Sequence, residues 1–168
     1  MAEIAGYAIQ WNQPAIIAGL FEERFARGAF DASLRDYPDV AALWAHDSSR
    51  PLGRVKNGTL ALRSDNIGLW YSITTDPASP LGQEAAATVG IGTVDQVSVG
   101  FSSDIEEWDD AGDLPRRLIT RARLYEISLV LWGAYGDATS AAVSRNRATN
   151  RHAARAEAAM QARGIPLG

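Results

Sequence analysis

Two long runs with the residue pattern of strands set the strongest limits on what this chain can fold into. Val94–Phe101 and Leu118–Leu131 are rich in β-branched and large apolar residues, and both read as strands. The acidic, turn-rich stretch Asp104–Asp113 lies between them. Weaker signals surround this pair. Ile4–Trp11 reads as a strand and Asn12–Gly19 as a loop. Ala32–Asp36 reads as a short helix capped by Asp31. Val40–His46 is an apolar run that ends in the polar turn residues Asp47–Pro51. Thr59–Arg63 and Leu69–Thr74 flank Ser64–Gly68 as a hairpin, and alanine-rich Leu81–Val89 is the best internal helix. The chain shows no internal repeat and no low-complexity linker. The expected fold is therefore a β-rich α+β domain over residues 1–143 with a few short helices.

The tail, residues 144–168, differs in composition. Thr149–Arg163 is built largely from Ala, Arg, Glu and Met, which favour a helix. Alanine buries little area per residue, so this C-terminal helix is expected to be marginal and to serve as an appended docking segment.

With 168 residues, 46% apolar and 21% charged, the chain can bury an ordinary core without staples. The net charge of −4 and pI of about 5.1 argue against nucleic acid as a main partner. The absence of cysteine excludes disulfide frameworks, thiol catalysis and zinc–thiolate sites. Two histidines, His46 and His152, are too few for a histidine-rich metal site, although a carboxylate-only site stays open. No cofactor is expected. The amino end, MAEIAGYAIQW, lacks the basic start and apolar run of a signal peptide. No stretch approaches the roughly 18 consecutive apolar residues of a membrane span. The expectation is a protein made and used inside a cell, away from membranes.

Three residues attract attention as chemistry. In a regular strand, Val97, Val99 and Phe101 share one face while Gln96, Ser98 and Gly100 share the other. Ser98 then projects away from the core, beside a glycine that leaves room for a substrate backbone, a geometry equally common for inert serines. His46 ends the run Leu43–His46 where a strand meets a loop, and an imidazole there is able to accept a proton near neutral pH. Glu126 interrupts the apolar strand Leu124–Val130, and burying a carboxylate is costly unless it is paired. Its partner is a histidine, an arginine such as Arg121 or Arg123, or solvent at an exposed edge. A serine, a histidine and a buried acid in strand context permit an acyl-transfer triad without establishing one. The Gly-x-Ser-x-Gly elbow is absent around Ser98, which argues against an α/β-hydrolase.

Other features read as structural. The six acidic residues of Asp104–Asp113 lack the ligand spacing of a calcium loop, so a solvated hairpin loop is expected. Gly90-Ile91-Gly92 is too short a glycine signal for a phosphate cradle. Trp44, Trp70 and Trp132 are expected in the core.

An ordered set of blocks carries a resemblance across roughly residues 4 to 143. It comprises Gly6-Tyr7-Ala8, Gly28-Ala29-Phe30 with Leu34, Leu43-Trp44-Ala45-His46-Asp47 and Arg50-Pro51-Leu52-Gly53-Arg54. It continues through Gly68-Leu69-Trp70, Val97-Ser98-Val99-Gly100-Phe101, Leu124–Val130, Ala134-Tyr135 and Ala138-Thr139-Ser140. In this set the chain resembles the prohead (capsid-maturation) proteases of tailed bacteriophages. The resemblance implies a serine endopeptidase with a herpesvirus-protease-like β-barrel core. It matches Ser98 to the family's serine, His46 to its histidine and Glu126 to a recurrent acidic position. Val99 stands where family members often carry a bulkier residue. The implied partners are the major capsid protein or a scaffold protein as substrate, with self-cleavage and homo-oligomer formation. The implied location is the prohead inside the bacterial host cytoplasm, and the tail would then serve packaging or self-processing. Two rivals remain: a non-enzymatic β-rich head-assembly protein that has kept the fold, and a small serine hydrolase acting on esters.

Overall fold

The structure, a computed structural model, describes residues 1–144. Its elements are β1 (Ala2–Gln10), β2 (Ala15–Ile17), β3 (Phe21–Phe25), α1 (Asp31–Asp36), β4 (Ala41–Trp44) and β5 (Asp47–Arg54). They continue as β6 (Leu60–Ser64), β7 (Gly68–Thr75), α2 (Pro80–Gly90), β8 (Gln96–Asp109), β9 (Arg116–Val130) and β10 (Ala142–Ser144). The fold is β-rich α+β, as the sequence predicts. The C-terminal helix expected over Thr149–Arg163 lies outside the described residues.

The strands form two sheets. The first is antiparallel throughout, in the order β10-β1-β7-β6. The second is organised by β9. One edge of β9 pairs antiparallel with β8 from Arg116 to Val130. Its other edge pairs in parallel with β3 over Arg116–Ile119 and with β4 over Glu126–Leu129. Among the described residues β9 has no strand partner on that side between those two segments, and the α1 region fills the gap. The Ala29 carbonyl accepts from the Ala122 amide at 2.9 Å, and the Ser33 hydroxyl from the Leu124 amide at 2.9 Å. Without those acceptors, two buried amides would each cost a good part of a hydrogen bond.

The alternation of β9 sends Ile119, Ala122, Leu124, Ile127 and Leu129 inward, all at most 2% exposed, to meet Ile4, Leu69, Tyr71 and Ile73 of the first sheet. Phe25, Phe30 and Phe101 form a ring cluster at one end, with centroids 5.0 Å apart for Phe25–Phe101. Each such side chain contributes about 1.5–3 kcal/mol of burial. Tyr71 lies deep in this layer and donates its hydroxyl to the Ser140 carbonyl at 2.8 Å, and burial pushes its phenol well up.

Several expectations need correction. Strand pairing among the described residues leaves two sheets and no closed barrel. The side where β5 nears the first sheet is spanned by α2, which packs on β1, β5, β7 and β10. A helix there replaces the strand pairing that closure requires. The stretch Asp47–Pro51 is strand, because β4 and β5 are joined by only two residues. Much of Asp104–Asp113 belongs to the long β8, its acids facing Arg116, Arg117 and Arg121 on β9. Asn12–Gly19 contains β2. Helix α1 begins at Asp31 itself, with Phe30 in the capping position and no side-chain cap. Among the tryptophans, Trp132 is 83% exposed, while Trp44 and Trp70 are half-buried beneath Arg50 and Arg63.

Asp65 ties the β6–β7 hairpin to β1. Its Oδ1 accepts from the Ile67 and Gly68 amides at 2.8 and 3.0 Å, and its Oδ2 from the Tyr7 hydroxyl at 2.9 Å. The Gly68 and Ile67 amides hold its carboxyl below the usual range. A depressed carboxyl stabilises the fold above its unfolded value, and that stability is lost as pH falls through the folded value. Urea midpoints should therefore drop more steeply for the natural chain than for Asp65→Asn between about pH 5 and pH 2, with the variant weaker at neutral pH. Equal acid limbs would remove Asp65 from the acid sensitivity.

Candidate active site

The site is built by register. Across β8 and β9, Ser98 pairs with Ser128 and Gly100 with Glu126; across β4 and β9, Ala41 pairs with Glu126 and Leu43 with Ser128. Directly opposed residues share a face. Adjacent strands β8 and β9 thus present Ser98, Gly100, Glu126 and Ser128 together, with Ala41 and Leu43 of β4 alongside, while Val97, Ile127 and Ala42 turn into the core.

His46 reaches this face from a two-residue turn. Trp44 pairs with Asp47, and the residues between them, Ala45 and His46, have φ of 52° and 60°. Both lie in the left-handed region required by tight hairpin turns, where Asn-Gly is the usual solution. For alanine and histidine this costs about 1–2 kcal/mol each. Hydrogen bonds to β9 hold the turn in place. The Ala45 amide donates to the Leu129 carbonyl at 3.0 Å, and the His46 amide to the Ser128 hydroxyl at 3.0 Å.

The His46 imidazole then meets Glu126 directly, with Nδ1 and Oε1 2.5 Å apart. The other carboxylate oxygen accepts from Ser128 Oγ at 2.6 Å. The hydrogen bonds close a ring: His46 amide to Ser128 hydroxyl, Ser128 to Glu126, and Glu126 to the His46 ring. The carboxylate is largely buried, its side chain 14% exposed, while the imidazole is 46% exposed. Both carboxylate oxygens have partners, so the burial cost is offset. Asp47, next to His46 in sequence, is occupied by Ser49, whose hydroxyl and amide donate to it at 2.6 and 2.8 Å and hold its carboxyl low.

The histidine and the acid expected from sequence are therefore in contact, and of the partners open to Glu126 it is the histidine that takes it. Ser98 lies on the same face, one strand over. No hydrogen bond joins the Ser98 hydroxyl to His46 among the described residues. Gly100 serves a different purpose from the one expected. A methyl group there would sit 2.4 Å from Glu126 Oε1, so the glycine makes room for the carboxylate rather than for a substrate backbone. A cleft of about 800 Å³ opens beside Glu126, bordered by Ala41, Leu43, Pro51, Leu52 and Tyr125. Among the described residues no group of three or more acidic or histidine side chains is arranged to hold a metal ion.

The sequence pattern of the caudovirus prohead serine proteases matches residues 1–153. The chain belongs to that family. Membership implies a serine protease of capsid maturation, acting on capsid or scaffold proteins inside the phage prohead. No curated protein matches the chain. Among the described residues of this prohead protease, no helix is long and apolar enough to cross a membrane.

Ser128 was not singled out from the sequence. Its signal was available, because it lies two residues beyond Glu126 and so on the same face of the strand. It is wholly buried, and its hydroxyl is engaged with Glu126 and the His46 amide, which leaves it no access to a substrate. Gly100→Ala should push the carboxylate off the imidazole. The expected result is loss of the low-field Nδ1 proton signal and a drop in proteolysis of roughly a hundredfold. A retained signal in the folded variant would contradict the role given to Gly100.

Proposed function

We propose that the chain is a serine endopeptidase with Ser98 as nucleophile, His46 as general base and Glu126 as the acid that orients it. The activity is assigned to residues 1–143. Its substrate is the scaffolding segment of the major capsid protein, or a separate scaffold protein, and the chain itself. The observation that carries this reading is the contact between His46 Nδ1 and Glu126 on the face that also bears Ser98.

With its Nδ1–H donating a hydrogen bond to the Glu126 carboxylate, the neutral imidazole keeps the Nε2 lone pair for the serine proton. Ser98 Oγ attacks the scissile carbonyl carbon as His46 takes that proton. The C–N bond breaks as His46 returns it to the leaving amine, and an acyl-enzyme remains. Water, deprotonated by the same imidazole, cleaves the ester and restores Ser98. Backbone amides stabilise the oxyanion at each tetrahedral stage.

The test is coexpression of the cognate capsid or scaffold protein with the natural chain and with Ser98→Ala, read by intact mass. A discrete truncation with the natural chain alone is expected. Uncut protein in both, despite assembled proheads, would favour the non-enzymatic assembly reading. Glu126→Gln should lose much less activity than Ser98→Ala, since it disturbs orientation rather than removing the nucleophile. Equal losses would point to misfolding or another role.

A further inference from the structure

The face that carries Ser98 and Glu126 continues along the β8–β9 pair. Gly100 pairs with Glu126 but Phe101 pairs with Leu124, so Tyr125 is an extra residue in β9. This bulge shifts the alternation. Beyond it Leu124 and Ala122 point into the core, at 2% and 1% exposure, and Arg123 takes the outward position. Arg123 pairs with Ser102, which lies on the Ser98–Gly100 side of β8. The active face thus carries two rows: Ser98, Gly100 and Ser102 on β8, and Ser128, Glu126 and Arg123 on β9.

The surroundings of Arg123 are unusual for a partly buried arginine. Its guanidinium lies over the Tyr37 ring at 4.0 Å and near the Tyr125 ring at 5.1 Å. The Tyr125 hydroxyl and Ser102 Oγ are 3.1 Å apart, which steadies that ring. Nε is buried and has no hydrogen-bond partner. Among the described residues no carboxylate lies within ion-pair range of it. Its neighbours are matched: Arg121 faces Asp104 at 3.8 Å, and Arg117 holds Glu23 at 2.9 Å and also Glu106. A buried donor left unpaired and a charge left without a counterion both carry a free-energy cost. Aromatic rings against a guanidinium leave its N–H edge as the polar surface, which suits a planar carboxylate.

We propose that Arg123, with Tyr37 and Tyr125, is a subsite for an acidic side chain of the substrate polypeptide. The proposal rests on the protease reading and adds a substrate preference to it. Ser102 is four residues from Ser98, on the order of 13 Å along an extended strand. An extended substrate crossing Ser98 would bring a residue about three to five positions from the cleaved bond over Arg123.

The test is cleavage of a mixed peptide library by the full chain, with cut sites read by mass spectrometry and Ser98→Ala as control. Enrichment of Asp or Glu at one fixed position, three to five residues from the cut, is expected. For a matched pair of peptides differing only in that acid versus alanine, kcat/KM should favour the acid by roughly tenfold. Arg123→Gln should collapse that ratio towards one. Arg123→Glu should shift the preference to Lys or Arg at the same position, a gain that misfolding does not produce. Ser98-dependent cleavage without acidic enrichment, or enrichment unchanged in Arg123→Gln, would overturn the subsite while leaving the protease standing. No Ser98-dependent cleavage would remove both.

Discussion

Everything in the second sheet depends on β9 satisfying four neighbours at once. Its fifteen residues pair with β8 along one edge and with β3, α1 and β4 in succession along the other. The strand cannot move without breaking ladders on both sides, and its inward side chains form much of the core. Glu126 and Ser128 are fixed by this arrangement before any chemistry is considered. Rigid strands hold functional groups more closely than loops do, and here the acid stands on the most constrained strand of the molecule.

The His46 turn depends on the same strand. A left-handed Ala-His pair is a poor intrinsic choice for a tight hairpin. It persists because β9 supplies an acceptor for each of the two turn amides and a carboxylate for the imidazole. Local strain and buried charge, each unfavourable alone, are satisfied by one set of contacts. Ser128 joins them, touching both the backbone and the acid.

Much of this was legible in the sequence. The two strong strand patterns were the β8–β9 pair, and the misfit of Glu126 in an apolar strand marked a residue whose surroundings, left open between a partner and an exposed edge, only the structure gives. The hairpin at His46 was hidden because its turn lacks glycine and asparagine, so the strand that follows looked like loop. The acids of β8 suggested turn for a similar reason: their charge is met by arginines on β9, and local propensity does not register a partner across a ladder. The exposure of Trp132 and the role of Gly100 depend on tertiary neighbours that no local pattern reports. The bulge at Tyr125, which turns Arg123 outward, leaves no mark in composition at all.

The β8–β9 register has one more consequence. Side chains alternate with a period of two, so a slip of one residue would exchange the faces of a strand. Val99 would then lie opposite Glu126, and Ser98 would turn towards the core. A hairpin misregistered by one residue does not place Ser98 and Glu126 on one face. The side-by-side placement of Ser98 and Glu126 is thus a direct readout of correct zipping between β8 and β9.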